Sequence, residues 1–213
     1  MKRLLGTLVF LGLLLAAFGG AETQARAVDP AMARQTLENS TDRILGILSN
    51  PNYVNPATRA PLRRQIEDEV WHIFDFGEFS ARTIGEKWRT LEPADREAFT
   101  NAFAELLFAT YLSHVEGYDG EKVRYLGERR SKNGERVEIA TEITLDGGRV
   151  VPISYRMLCK EEAAGGAWVV YDVLIEGVSL VGSYRAQFRE ELAHAGIGEL
   201  IEKVHKKAME AES

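Results

Sequence analysis

Residues 168–175 read Trp-Val-Val-Tyr-Asp-Val-Leu-Ile, and this run constrains the fold more than any other stretch. Val169, Tyr171, Val173 and Ile175 alternate with Trp168, Val170, Asp172 and Leu174, so both faces of the strand are mostly apolar. Such a strand is expected to be covered on both sides. Glu176-Gly177-Val178 then breaks the pattern, and a helix is expected from Ser179, whose hydroxyl suits an N-cap.

Upstream, the hydrophobic period changes once. Before Gly117 it is helical. Asp29-Pro30 predicts a helix start, with burial at Leu37, Ile44, Leu45 and Leu48 as far as Asn50-Pro51. A second helix is expected from Pro61, with Leu62, Ile66, Val70, Ile73 and Phe74 at helical spacing. Gly77 and Gly85 predict short, broken turns between Phe74 and Trp88. A long helix from Pro93 to Gly117 is apolar over an arc wide enough for burial on more than one side.

After Gly117 the period is two. Strands are expected at Lys122–Glu128, Arg136–Leu145, Val151–Cys159 and Trp168–Ile175. Asn133-Gly134 predicts a two-residue hairpin, and Asp146-Gly147-Gly148 a second turn. Two closing helices follow, Ser179 to Ala195 and Ile197 to Met209. Helices, then an antiparallel meander, then helices predict an α+β fold: a twisted sheet of four strands or slightly more, covered by several helices.

The N-terminus carries Lys2 and Arg3 before an apolar run, Leu4 to Phe18, that is shorter than the roughly 20 residues of a membrane span. Small residues follow. Residues 1–21 are therefore expected to be a secretory signal peptide, with an alternative cut after Ala27, and 22–213 a single domain. The whole-chain charge of −6 includes +2 from Lys2 and Arg3, so the exported domain carries −6 − 2 = −8. That acidity argues against nucleic acid as a partner. The single cysteine, Cys159, excludes an internal disulfide.

Catalytic signals are few. His72, His114, His194 and His205 form no HxH or HxxxH pair, so no metal is expected. There is no GxSxG. Asp172, on a greasy strand with Tyr155 or Tyr171 near, suits a general base in an apolar pocket, or a carboxylate bonded to backbone or to an arginine such as Arg185. Tyr184, Arg185 and Phe188 on the following helix either pack on the sheet or frame a pocket rim or docking surface.

Three segments together, WVVYDVLIEG, GVSLVGSYRAQF and SARTIGEKWRTLEPADREAFTNAFAELLFATY, resemble the MlaC family, also called the toluene-tolerance auxiliary family. The resemblance runs from about Ala31 to Lys207. It implies a nuclear-transport-factor-like fold holding a phospholipid as cargo, with no cofactor and no catalysis. It also implies a periplasmic shuttle between an outer-membrane lipoprotein–porin complex and an inner-membrane ABC transporter with an MCE-domain subunit, maintaining outer-membrane lipid asymmetry. The composition fits that role. A diacyl lipid has roughly 30 methylenes, and exposing them costs about 25 kcal/mol, so a carrier needs a large apolar interior and little chemistry.

Under this resemblance the acyl tails lie along Val137, Ile139, Ile143, Val151, Ile153, Tyr155, Val169, Tyr171 and Val173. The opposing wall comes from Phe103, Leu106, Leu107 and Tyr111. Periodicity alone leaves these residues equally suited to an ordinary packed core. An enzyme using Asp172 and a tyrosine, or a solid-cored adaptor of the transporter, remain alternatives at this point.

Overall fold

The structure is a computed structural model and describes residues 31–115, 120, 122–145, 148–160 and 166–211. The expected signal peptide, the Asp29-Pro30 cap and most of the Asp146-Gly147-Gly148 turn lie outside those residues. Helices α1 (Ala31–Leu48), α2 (Pro56–Ile73), α3 (Phe76–Ile84) and α4 (Pro93–Val115) precede the sheet. Strands β1 (Val123–Arg130), β2 (Arg136–Thr144), β3 (Val150–Lys160), β4 (Ala167–Ile175) and β5 (Val178–Ser179) follow, then α5 (Leu180–His194) and α6 (Ile197–Ala211). The five strands form one antiparallel meander in chain order. The α+β expectation holds, with the short β5 as the added strand.

Local differences have local causes. Helix α2 starts at Pro56, five residues before the expected Pro61. Asn55 caps it, its side chain accepting from the Ala57 amide at 3.0 Å, and Pro56 fits the first turn. Gly77 breaks nothing: Asp75 caps α3 by accepting from the Glu78 amide at 3.0 Å. Gly85 does end that helix, at φ +73°, where a side chain would be strained.

The two-residue hairpin lies elsewhere than expected. At Asn133-Gly134 only Gly134 has positive φ, and Ser131 pairs with Arg136 across a longer loop. A type I′ turn needs positive φ at both central residues. Glu176 (φ 50°) and Gly177 (φ 82°) meet that requirement between β4 and β5, where Ile175 pairs with Val178.

The apolar residues collect in separate clusters. One is helical: Phe76 and Phe79 of α3, Phe99, Phe103 and Leu106 of α4, Phe188 of α5, and Leu200 and Val204 of α6. A second lies on one face of the sheet, where Ala33 and Leu37 of α1 and Ile73 of α2 cover Val137, Ile139, Met157, Val170 and Val173. Leu112, from the other side of α4, joins a third with Leu48, Tyr53 and Ile66. The wide apolar arc of α4 is thus buried on two sides.

Candidate functional site

The sheet has two unlike faces. The inner face carries Val137, Ile139 and Thr141 of β2, all buried, opposite Met157, Tyr155 and Ile153 of β3 in register. The outer face carries a charge ladder. Arg124 meets Glu142, Arg129 meets Glu138 at 2.9 Å, and Arg156 meets Glu138 at 2.9 Å and Asp172 at 3.0 Å.

A bulge in β4 decides which residues join which face. Arg156 pairs with Asp172 but Met157 pairs with Val170, so Tyr171 is the extra residue. Beyond the bulge, Val173 and Ile175 point inward; before it, Trp168 and Val170 do. Val169 and Tyr171, expected on the inner face, stand on the outer one. The Arg82 guanidinium lies 4.2 Å from the Tyr171 ring centroid there. Strict alternation hides this inversion because the strand is apolar on both sides and either register satisfies the pattern.

The inner face is closed at one end and open at the other. Near α1, Val137, Ile139, Met157 and Val170 are at most 2% exposed. Toward the β2–β3 turn, Ile143, Val151, Ile153, Tyr155 and Ile175 are only half-buried. Tyr155 sits deep enough that burial, with a smaller contribution from Tyr125, pushes its phenol up to about 12, yet part of its surface remains accessible. Tyr155 thus stands between the tightly packed end of this face, where it pairs with Ile139, and the half-buried end beyond it.

The folded state therefore keeps the Tyr155 proton longer than the unfolded chain does. The stability this contributes is complete below about pH 10 and is lost as pH rises toward about 12. Urea melts across that range are expected to show a smaller decline for Tyr155→Phe than for the parent chain. Equal declines would mean that the hydroxyl is hydrated in the folded state.

The remaining expected site residues separate from this face. Phe103, Leu106 and Leu107 are buried in the helical cluster, with Tyr111 at its margin. Phe103 has the rings of Phe79, Phe99, Tyr184 and Phe188 at 4.9 to 5.8 Å. What covers the inner face is α1 and the end of α2. Of the rim candidates, Phe188 is buried and Tyr184 half-buried in that same cluster; only Arg185 is exposed, beside Gly85.

Asp172 is a structural tie. It is 2% exposed and lies on the outer face. It accepts from Arg156 (3.0 Å), from the Ser179 hydroxyl (2.7 Å) and from the Val181 amide (3.1 Å). Ser179 in turn accepts from the Gly182 amide at 2.9 Å as the N-cap of α5. The arginine partner is Arg156, not Arg185. Among the described residues, no three of His, Cys, Asp and Glu gather as a metal site, and no helix is long and apolar enough to cross a membrane.

Comparison with known proteins agrees with this architecture. The chain is 24% identical over 162 residues to the intermembrane phospholipid transport system binding protein MlaC of Haemophilus influenzae, covering 76% of this chain and 72% of that one. It is 23% identical over 108 residues to the toluene tolerance protein ttg2D of Pseudomonas putida, about half of each chain at 51% and 48%. A phospholipid-binding protein from Ralstonia solanacearum, solved in complex with a phospholipid, superimposes with a TM-score of 0.73 at 22% identity, over 85% of this chain and 99% of that chain. Residues 38–206 match the family model described as MlaC protein, a span from the middle of α1 to near the end of α6. With fold, matched span and relatives in agreement, the chain belongs to the MlaC family.

Proposed function

We propose that this chain is a periplasmic phospholipid carrier. Residues 1–21 act as the export signal and 22–213 as the lipid-binding domain. It moves lipid between an outer-membrane lipoprotein–porin complex and the MCE-domain subunit of an inner-membrane ABC transporter, which maintains outer-membrane asymmetry.

The observation that carries the reading is the half-open apolar face at Ile143, Val151, Ile153, Tyr155 and Ile175. A core with no cargo to hold would bury these residues, since each apolar side chain left accessible forfeits part of roughly 1.5–3 kcal/mol. The acyl tails lie against this face, with α1 and the end of α2 opposite. Membership of the MlaC family, and relatives named for phospholipid transport and phospholipid binding, support the same reading.

The alternative of catalysis at Asp172 loses its footing from geometry. Both carboxylate oxygens already accept hydrogen bonds, and the residue faces away from the apolar space. Ile153→Trp tests the carrier against the solid-cored adaptor. Trp at a residue lining the space is expected to displace lipid, lowering co-purified phospholipid by about tenfold while the thermal melt stays cooperative. If Ile153 is packed core, the same change overpacks it at about 1–3 kcal/mol. A cooperative Ile153→Trp protein with undiminished lipid would remove Ile153 from the site.

A further inference from the structure

The outer face of the sheet holds a cleft of about 190 Å³ at its β1–β2 hairpin end. Arg129, Arg136 and Arg156 line it from three successive strands, with Arg130, Ser131, Glu138 and Tyr171. The β4 bulge that turns Tyr171 outward supplies one wall, and Arg82 caps the Tyr171 ring from α3. Four arginines thus meet one carboxylate on the lining of a chain whose net charge is −6.

The surrounding carboxylates are already engaged. Glu138 is shared by Arg129 and Arg156, Asp172 accepts from Arg156, Ser179 and Val181, and Glu128 holds Arg130. Among the described residues no carboxylate pairs with Arg136. Arg156 is fixed by two acceptors, which leaves the rest of its five-donor fork free to bind without reorganising. Arginines lining one cleft from three strands offer more donors than the two oxygens of a carboxylate use, because one guanidinium fork already matches a carboxylate. A tetrahedral oxyanion offers enough acceptors in enough directions.

We propose that this outer-face cleft is a second binding site, for a phosphate group. It lies across the sheet from the apolar face and at the opposite end from its open mouth, so the phosphate is not that of the enclosed cargo. The proposal stands independently of the carrier reading. The phosphate belongs either to a lipid head group at a membrane surface or to a free phosphate compound.

The test titrates inorganic phosphate into the folded protein and, separately, measures sedimentation with phosphatidylglycerol vesicles and with phosphatidylcholine vesicles. Arg136→Gln is the first variant, because no carboxylate among the described residues pairs with Arg136, which makes a folding defect unexpected. Arg129→Gln is the second, and Arg185→Gln is a control outside the cleft. Saturable phosphate binding is expected, weakened about tenfold or more by either cleft variant and unchanged by the control, as loss of a charge-assisted hydrogen bond implies. Vesicle binding with the same variant dependence assigns the site to lipid head groups; phosphate binding without it assigns the site to a soluble phosphate. No saturable binding of phosphate or vesicles, or binding that both cleft variants leave intact, overturns the proposal.

Discussion

Asp172→Ala is expected to destabilise the domain by about 3 kcal/mol, lowering its melting temperature by roughly 10 °C. The carboxylate is buried and accepts from a guanidinium, a hydroxyl and a backbone amide. Removing one partner of a buried charge pair ordinarily costs about 3–5 kcal/mol, because the other charge is left uncompensated. Arg156 keeps Glu138 and a third of its side chain remains exposed, which places the expectation at the low end of that range. Loss of the Val181 contact also weakens the start of α5, where a cap is worth about 1 kcal/mol. Urea denaturation of Asp172→Ala and Asp172→Asn reads the effect directly, with Asn expected to recover part of it by keeping one acceptor. A loss under about 1 kcal/mol for Ala would mean that the tie between β4 and α5 is not a structural anchor.

Phe103→Ala is expected to cost about 3–5 kcal/mol, the cavity penalty for a large ring in a packed interior. Phe103 is 0% exposed and touches four aromatic rings, so little around it can collapse into the gap. Its folded fraction should carry as much lipid as the parent protein. Ile153→Trp should do the reverse, reducing lipid with little loss of cooperativity. The two variants together separate residues that pack from residues that line. Large lipid loss at full stability in Phe103→Ala would return α4 to the binding wall.

The sequence made the order and type of most elements readable, because the period switches from helical to two and back again and the strands are punctuated by turn residues. It did not reveal faces and partners. The β4 bulge at Tyr171 leaves no trace in Trp-Val-Val-Tyr-Asp-Val-Leu-Ile, since a one-residue shift exchanges one apolar set for another. The cost was the misplacement of Val169 and Tyr171. The apolar arc of α4 announced burial but not against what, and Phe103 proved to belong with α3, α5 and α6. A capping pair can outrank a proline, as Asn55-Pro56 does over Pro61. Asp172 was legible as unusual, a lone acid in an apolar strand. That its partner was Arg156 became visible only once the register of β3 against β4 set them side by side.

The central claim is that the half-open face between the sheet and α1 holds a phospholipid. Native mass spectrometry of the protein purified without detergent, followed by organic extraction, tests it most directly. The account predicts a stoichiometric phospholipid adduct, with the extracted chains identifying the cargo. A protein mass free of adduct, with no phospholipid in the extract, would contradict it.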